Sequence, residues 1–116
     1  GAGSVPEGGA GKVPLTIDKA AGGAISLSWG ASCRVVDADY AVYEGALGSV
    51  ASHAPRTCSS GGALVWTLTP PEGDAYYLVV PVHADREGSY GTRPGGVERP
   101  PSASACVPQL ARACGN

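Results

Sequence analysis

From Val13 onward the chain alternates apolar and polar positions. Val13, Leu15 and Ile17 are separated by Pro14, Thr16 and Asp18, a period of two that predicts a β-strand, and the internal proline places it at a sheet edge. Ile25, Leu27 and Trp29 alternate with Ser26, Ser28 and Gly30, giving an apolar face against a hydroxyl face, as in a half-buried antiparallel strand. The same alternation returns at Tyr40 and Val42 and at Leu64, Trp66 and Leu68. Tyr76, Leu78, Val80 and Val82 form the strongest run, and Tyr77 and Val79 make its reverse face apolar as well. That strand is predicted to be central and covered on both sides. A last edge candidate lies around Ser89 to Thr92 and Gly96 to Arg99. Turn-forming residues separate the runs at Ala21–Gly23, Gly45–Ser49, Ser59–Gly62, Pro70–Asp74 and Asp85–Gly88.

Six or seven short strands at this spacing predict an all-β chain, an antiparallel β-sandwich of two sheets. Composition agrees: 18 Gly and 10 Pro in 116 residues argue against long helices. With no Phe and no Met, the core falls to Trp29, Trp66, Tyr40, Tyr76 and β-branched residues. A chain of this length holds one core. Its expected division is a glycine-rich arm at 1–12, the sandwich at 13–99 and a Pro-rich, cysteine-bearing tail at 100–116. An ordered glycine-rich arm loses about 1–2 kcal/mol of backbone entropy per residue, so either a neighbouring subunit or the domain's own edge must hold it.

Charge and cysteines narrow the setting. Charged residues make up 16% and the net charge is −2, which argues against a nucleic-acid partner. No apolar run approaches the ~20 residues needed to span a bilayer. Cys33, Cys58, Cys106 and Cys114 are an even set without metal-ligand spacing, so they read as disulfides and place the chain outside the reducing cytosol. The expected pairing is Cys33 with Cys58, flanking the strand-rich middle, and Cys106 with Cys114 in the tail. A chain beginning at Gly1 with no Met reads as one whose leader has been removed. The expected location is therefore extracellular.

ISLSW at 25–29, DYAVYEG at 39–45 and LTPPEGDAYYLVVPVHA at 68–84 resemble signatures of fibronectin type III domains over roughly residues 13–99. The resemblance implies an immunoglobulin-like sandwich, with Trp29 on the second strand, Tyr40 on the third, and Leu68 followed by a Pro/Gly turn and Tyr76 at the start of the sixth. WGASC, YAVYEG, YYLVVP, EGSYG and ERP also look like a module of secreted bacterial proteins. The four cysteines and the tail depart from the usual pattern, and the chain has no RGD.

No reaction is legible. His53, in the loop-like string SHAPR, and His83, at a strand end, lie outside any hydrolase signature. Gly8–Lys12 fails as a phosphate loop because Pro6 and Val13 stand where Gly and Ser or Thr are needed. The expectation is that the chain is not an enzyme. Asp37 and Asp39 fall on one face of an extended segment and are the first choice for calcium, helped by backbone carbonyls or a neighbour's carboxylate, since calcium takes six to eight oxygens. Glu72 with Asp74 and Asp85 with Glu87 share that spacing. The favoured reading is a secreted structural subunit that binds copies of itself through its N-terminal arm or a strand edge, propagating head to tail. The alternatives are an accessory module of a larger secreted protein, or a module binding a carbohydrate or protein through Tyr43, Tyr77 and Tyr90.

Overall fold

The computed structural model describes residues 2–5, 15–34, 36–48, 52–93 and 97–111. Among the described residues nine strands follow one another: β1 (Thr16–Lys19), β2 (Ile25–Ser28), β3 (Asp39–Ala46), β4 (Ala54–Thr57), β5 (Val65–Leu68), β6 (Ala75–His83), β7 (Arg86–Glu87), β8 (Thr92–Arg93) and β9 (Val97–Glu98). All named pairings are antiparallel. They form a three-stranded sheet in the order β1-β2-β5, a four-stranded sheet in the order β4-β3-β6-β7, and the small hairpin β8-β9. Among the described residues there is no α-helix, only a 3₁₀ turn at Ala21–Gly23.

Period two decides which way each side chain faces. On β3 and β6 the set Tyr40, Val42, Tyr77 and Val79 meets Leu27, Trp29 and Leu68 from the other sheet, with Trp66 and Ile25 packed alongside. The opposite set, Ala41, Tyr43, Leu78 and Val80, meets Tyr90, with Cys106 packed against it. The second face of the four-stranded sheet is therefore covered by chain that follows β7. The expectation that 76–82 is central and covered on both sides holds, since β6 lies between β3 and β7.

Two elements differ from the sequence expectation. SHAPR was expected as a loop, yet Ala54–Thr57 pairs with β3, and a register shift between Val42 and Tyr43 absorbs Arg56. As an edge strand β4 tolerates Pro55. Asp85–Gly88 was expected as a turn, yet Arg86–Glu87 is the edge strand β7, reached from β6 by Ala84 and Asp85 at φ 53° and 59°. Positive φ at both positions gives the loop the twist a two-residue hairpin needs, without the usual Asn-Gly. β7 stops short because of Pro81. Gly88 donates to the Pro81 carbonyl at 2.9 Å, but proline has no N–H to return. The Gly88 carbonyl instead accepts from Gln109 Nε2 at 3.1 Å.

The chain ends then extend this sheet. Glu87 N–H donates to the Pro108 carbonyl and Leu110 N–H to the Glu87 carbonyl, 2.9 and 2.8 Å, and Ala2 bridges Ala111 in parallel. Ala2, Gly3 and Val5 are buried. Cys33 N–H donates to the Ser4 carbonyl and Ser89 N–H to the Gly3 carbonyl, 2.9 and 2.8 Å. Residues 2–5 thus rest on their own domain, which settles for them the choice between a neighbour and the domain's own edge. Residues 6–12 lie outside the described residues. Gly88 permits this approach: a Cβ there would sit 2.0 Å from the Gly3 oxygen.

The disulfide pairing also differs. Cys58 is bonded to Cys106, with a Cα–Cα distance of 5.6 Å, so neither expected pair forms. Cys106 is not confined to a separate tail: residues 100–106 fold back over the four-stranded sheet and bring it to the end of β4. Cys33 is disulfide-bonded as well. Cys114 lies outside the described residues. No helix among the described residues is long and apolar enough to cross a membrane.

Candidate functional site

The densest polar chemistry lies between the four-stranded sheet and its cover. Glu87 is 0% exposed. Tyr43 Oη donates to its Oε2 and Tyr90 Oη to its Oε1. Tyr43 comes from β3, Glu87 from β7 and Tyr90 from the cover, so one carboxylate joins three parts of the fold. The Tyr43 oxygen also accepts from the Cys106 amide at 2.9 Å, anchoring the cover beside the cystine. Burial first, and then the hydrogen bond to Glu87, push the Tyr43 hydroxyl up to about 12. The same two causes raise Tyr90. Ionising either ring would set a second negative charge beside the carboxylate in a poorly solvated place.

His53 closes the cluster. It precedes β4 and is buried, with Nε2 2.9 Å from the Pro100 carbonyl and Nδ1 3.0 Å from Tyr76 Oη. A carbonyl only accepts, so Nε2 carries the proton, and in the neutral ring Nδ1 accepts from the tyrosine. Gly45 makes room for this arrangement, because a Cβ there would lie 2.3 Å from the Tyr76 ring. Ser102 Oγ donates to the His53 carbonyl at 2.7 Å. The rings of Tyr43 and Tyr90 lie 4.9 Å apart, and those of His53 and Tyr90 5.3 Å apart. Each hydroxyl, ring nitrogen and carboxylate oxygen of this cluster has a protein partner, and its members on β3, β7 and the cover are closed to solvent. The arrangement holds the cover down.

Asp37 and Asp39 have separate partners. Asp37 is buried, and its Oδ2 accepts from Gly3 N–H at 2.8 Å and Ser32 Oγ at 2.6 Å. It pins the N-terminal residues. Asp39 anchors the turn after β4, accepting from Ser59 Oγ at 2.5 Å and from the amides of Tyr40, Ser60 and Gly62 at 2.9, 3.1 and 3.2 Å. Burial pushes its carboxyl up, but the Ser59 hydroxyl and these amides together outweigh it and hold the group below the usual 3.8. Among the described residues no three His, Cys, Asp or Glu side chains gather as a ligand set. Glu87, expected at a loop beside Asp85, has both oxygens committed to tyrosines.

Tyr43, Tyr77 and Tyr90, the residues of the alternative ligand-binding reading, are all buried. Tyr77 faces the other sheet and donates to Glu44 Oε2 at 2.7 Å, which Arg56 also holds at 2.9 Å. Burial and Glu44 push its hydroxyl up to about 12. Period two sets Tyr43 on β3 and Tyr77 on β6 inward, on opposite faces of their sheet, and the cover, which carries Tyr90, buries the face that the other sheet does not.

Sequence reasoning missed the roles of Glu87 and His53, which sit in polar or loop-like strings, and of the Tyr76 hydroxyl; their partners come from chain up to 49 residues away. It also passed over a different feature. β1 and β5 are the outer strands of the three-stranded sheet. β1 is exposed along its length, and Leu64 and Val65 at the start of β5 are 40% and 46% exposed. The signal was available: Ala63–Leu68 is a six-residue run without charge, Gly or Pro, the composition of an edge that pairs readily.

No family model, curated protein or solved structure matches the chain.

Proposed function

We propose that the chain is a fibronectin type III-like β-sandwich module that serves as an extracellular structural subunit, joining copies of itself into a filament or surface polymer through its strand edges. The first, second and fifth strands share one sheet and the third, sixth and seventh the other, which is the distribution of immunoglobulin-like sandwiches. In support of the resemblance, Tyr40 lies on β3, Leu68 ends β5 and Tyr76 lies near the start of β6, while Trp29 falls one residue beyond β2. The cystine favours an oxidising compartment.

One observation carries the self-association: the three-stranded sheet ends on both sides in a strand with no described partner. An unpaired edge is a template for another strand. Residues 2–5 are docked on their own domain, so the edges rather than those arm residues make the contact. The sealed Glu87 cluster supports a structural rather than a catalytic role. Sedimentation velocity of the oxidised protein from about 1 μM to about 1 mM, a range suited to small interfaces, is expected to show growth with concentration, with elongated particles by negative stain. A monomer at every concentration overturns the reading.

A further inference from the structure

We infer that the outer edge of β5 is a docking site for β5 of a second copy, the two strands pairing antiparallel about a twofold axis centred on Trp66. This rests on the proposed self-association and says which edge and which register carry it.

Backbone geometry selects the edge. Trp29 N–H donates to the Leu64 carbonyl at 3.0 Å, and Leu27 stands opposite Trp66 and Ile25 opposite Leu68. In an antiparallel ladder the N–H and C=O of a residue point to the same side, and successive residues alternate. Leu64, Trp66 and Leu68 therefore spend their backbone groups on β2 and its continuation, while Val65 and Thr67 turn theirs outward. Among the described residues no backbone group bonds them there.

Side chains select the partner. β1 carries Asp18 and Lys19, the kind of charge that guards an edge against pairing. β5 carries none, so two copies approach without like-charge repulsion. Centring the axis on Trp66 sets Val65 opposite Thr67 of the second copy and Thr67 opposite its Val65. Both outward residues are then used, for about four backbone hydrogen bonds. The same register sets Trp66 against Trp66 and Leu64 against Leu68, so every cross-strand pair is aromatic, aliphatic or β-branched. Leu64, now 40% exposed, gains apolar cover. A one-residue slip would oppose residues facing different sides of the sheet, and a two-residue slip would lose a bonded pair. So small an interface is weak, with a Kd above about 10 μM, and being twofold it yields a closed pair, which a second contact must link into a filament.

Thr67→Pro tests it without touching the β2–β5 ladder, because it removes a donor that points outward. Thr67→Pro and Val65→Lys are expected to weaken association at least tenfold by sedimentation, with the wild-type Tm retained, while Ile17→Lys on β1 leaves this dimer intact. Hydrogen exchange on the wild-type chain gives a second measure: the Val65 and Thr67 amides should slow as concentration rises. Association unchanged in both β5 variants, with concentration-independent exchange at 65 and 67, overturns the β5 assignment and leaves self-association standing. A wild-type chain that stays monomeric overturns both.

Discussion

At the scale of single residues, the fold's most committed atoms are those around the Glu87 carboxylate. The Tyr43 hydroxyl both donates to Glu87 and accepts from the Cys106 amide, whereas the Tyr90 hydroxyl donates to Glu87. Tyr43→Phe keeps the ring but strands a buried carboxylate oxygen and a part-buried amide. Its expected cost is about 2–3 kcal/mol in urea unfolding. Tyr90→Phe, which strands the carboxylate oxygen alone, should cost less. Equal and small losses in both would show that water replaces the hydroxyls. Little of this was legible in the sequence. Glu87 follows Asp85-Arg86 and His53 stands between Ser52 and Ala54, strings that read as solvated turns, because the residues that bury them arrive from elsewhere in the chain. Tyr43 was visible as an aromatic but not as an inward one, since the layer over it has no periodic signature of its own.

Among the elements, legibility followed length and alternation. β2, β3, β5 and β6 each show period two because one face packs against the other sheet, and all four were anticipated close to where they lie. β4 and β7 were not: they are short edge strands, one containing Pro55 and the other two residues long, and their pairing depends on β3 and β6 already being in place. The β6–β7 hairpin is also where local preference and structure disagree most, since Ala84 and Asp85 both hold positive φ that residues with a Cβ adopt at a cost. Replacing the pair by Asn-Gly should raise stability by about 1 kcal/mol, read as a higher Tm with unchanged far-UV circular dichroism. No gain would mean that contacts of the Asp85 or Ala84 side chain compensate for the backbone.

For the whole molecule, pH reports on how the layers are held. Tyr43 and Tyr77 release their protons at about 12 in the folded chain, against 10.0 ordinarily, and Tyr90 is raised too. Between these values the unfolded chain has lost protons that the folded one keeps, so the unfolded state is favoured increasingly as pH rises. Their contribution is complete below about pH 10 and disappears toward pH 12. Asp39 has the opposite sign: its lowered carboxyl contributes above 3.8 and stops contributing as pH falls through its folded value. Urea midpoints measured from pH 3 to 12 should therefore show a plateau with a decline at each end, the alkaline one accompanied by tyrosinate absorbance. Tyrosinate appearing near pH 10 at all ring positions while the chain stays folded would contradict the burial of these hydroxyls.

In the proposed polymer, the cystine between Cys58 and Cys106 would have a mechanical meaning. It short-circuits 48 residues, including β5, β6 and β7, equivalent to roughly 160 Å of extended chain. Tension applied outside that loop cannot draw out the segment bearing the docking edge. Such a polymer would yield by a limited, recoverable stretch instead of unravelling.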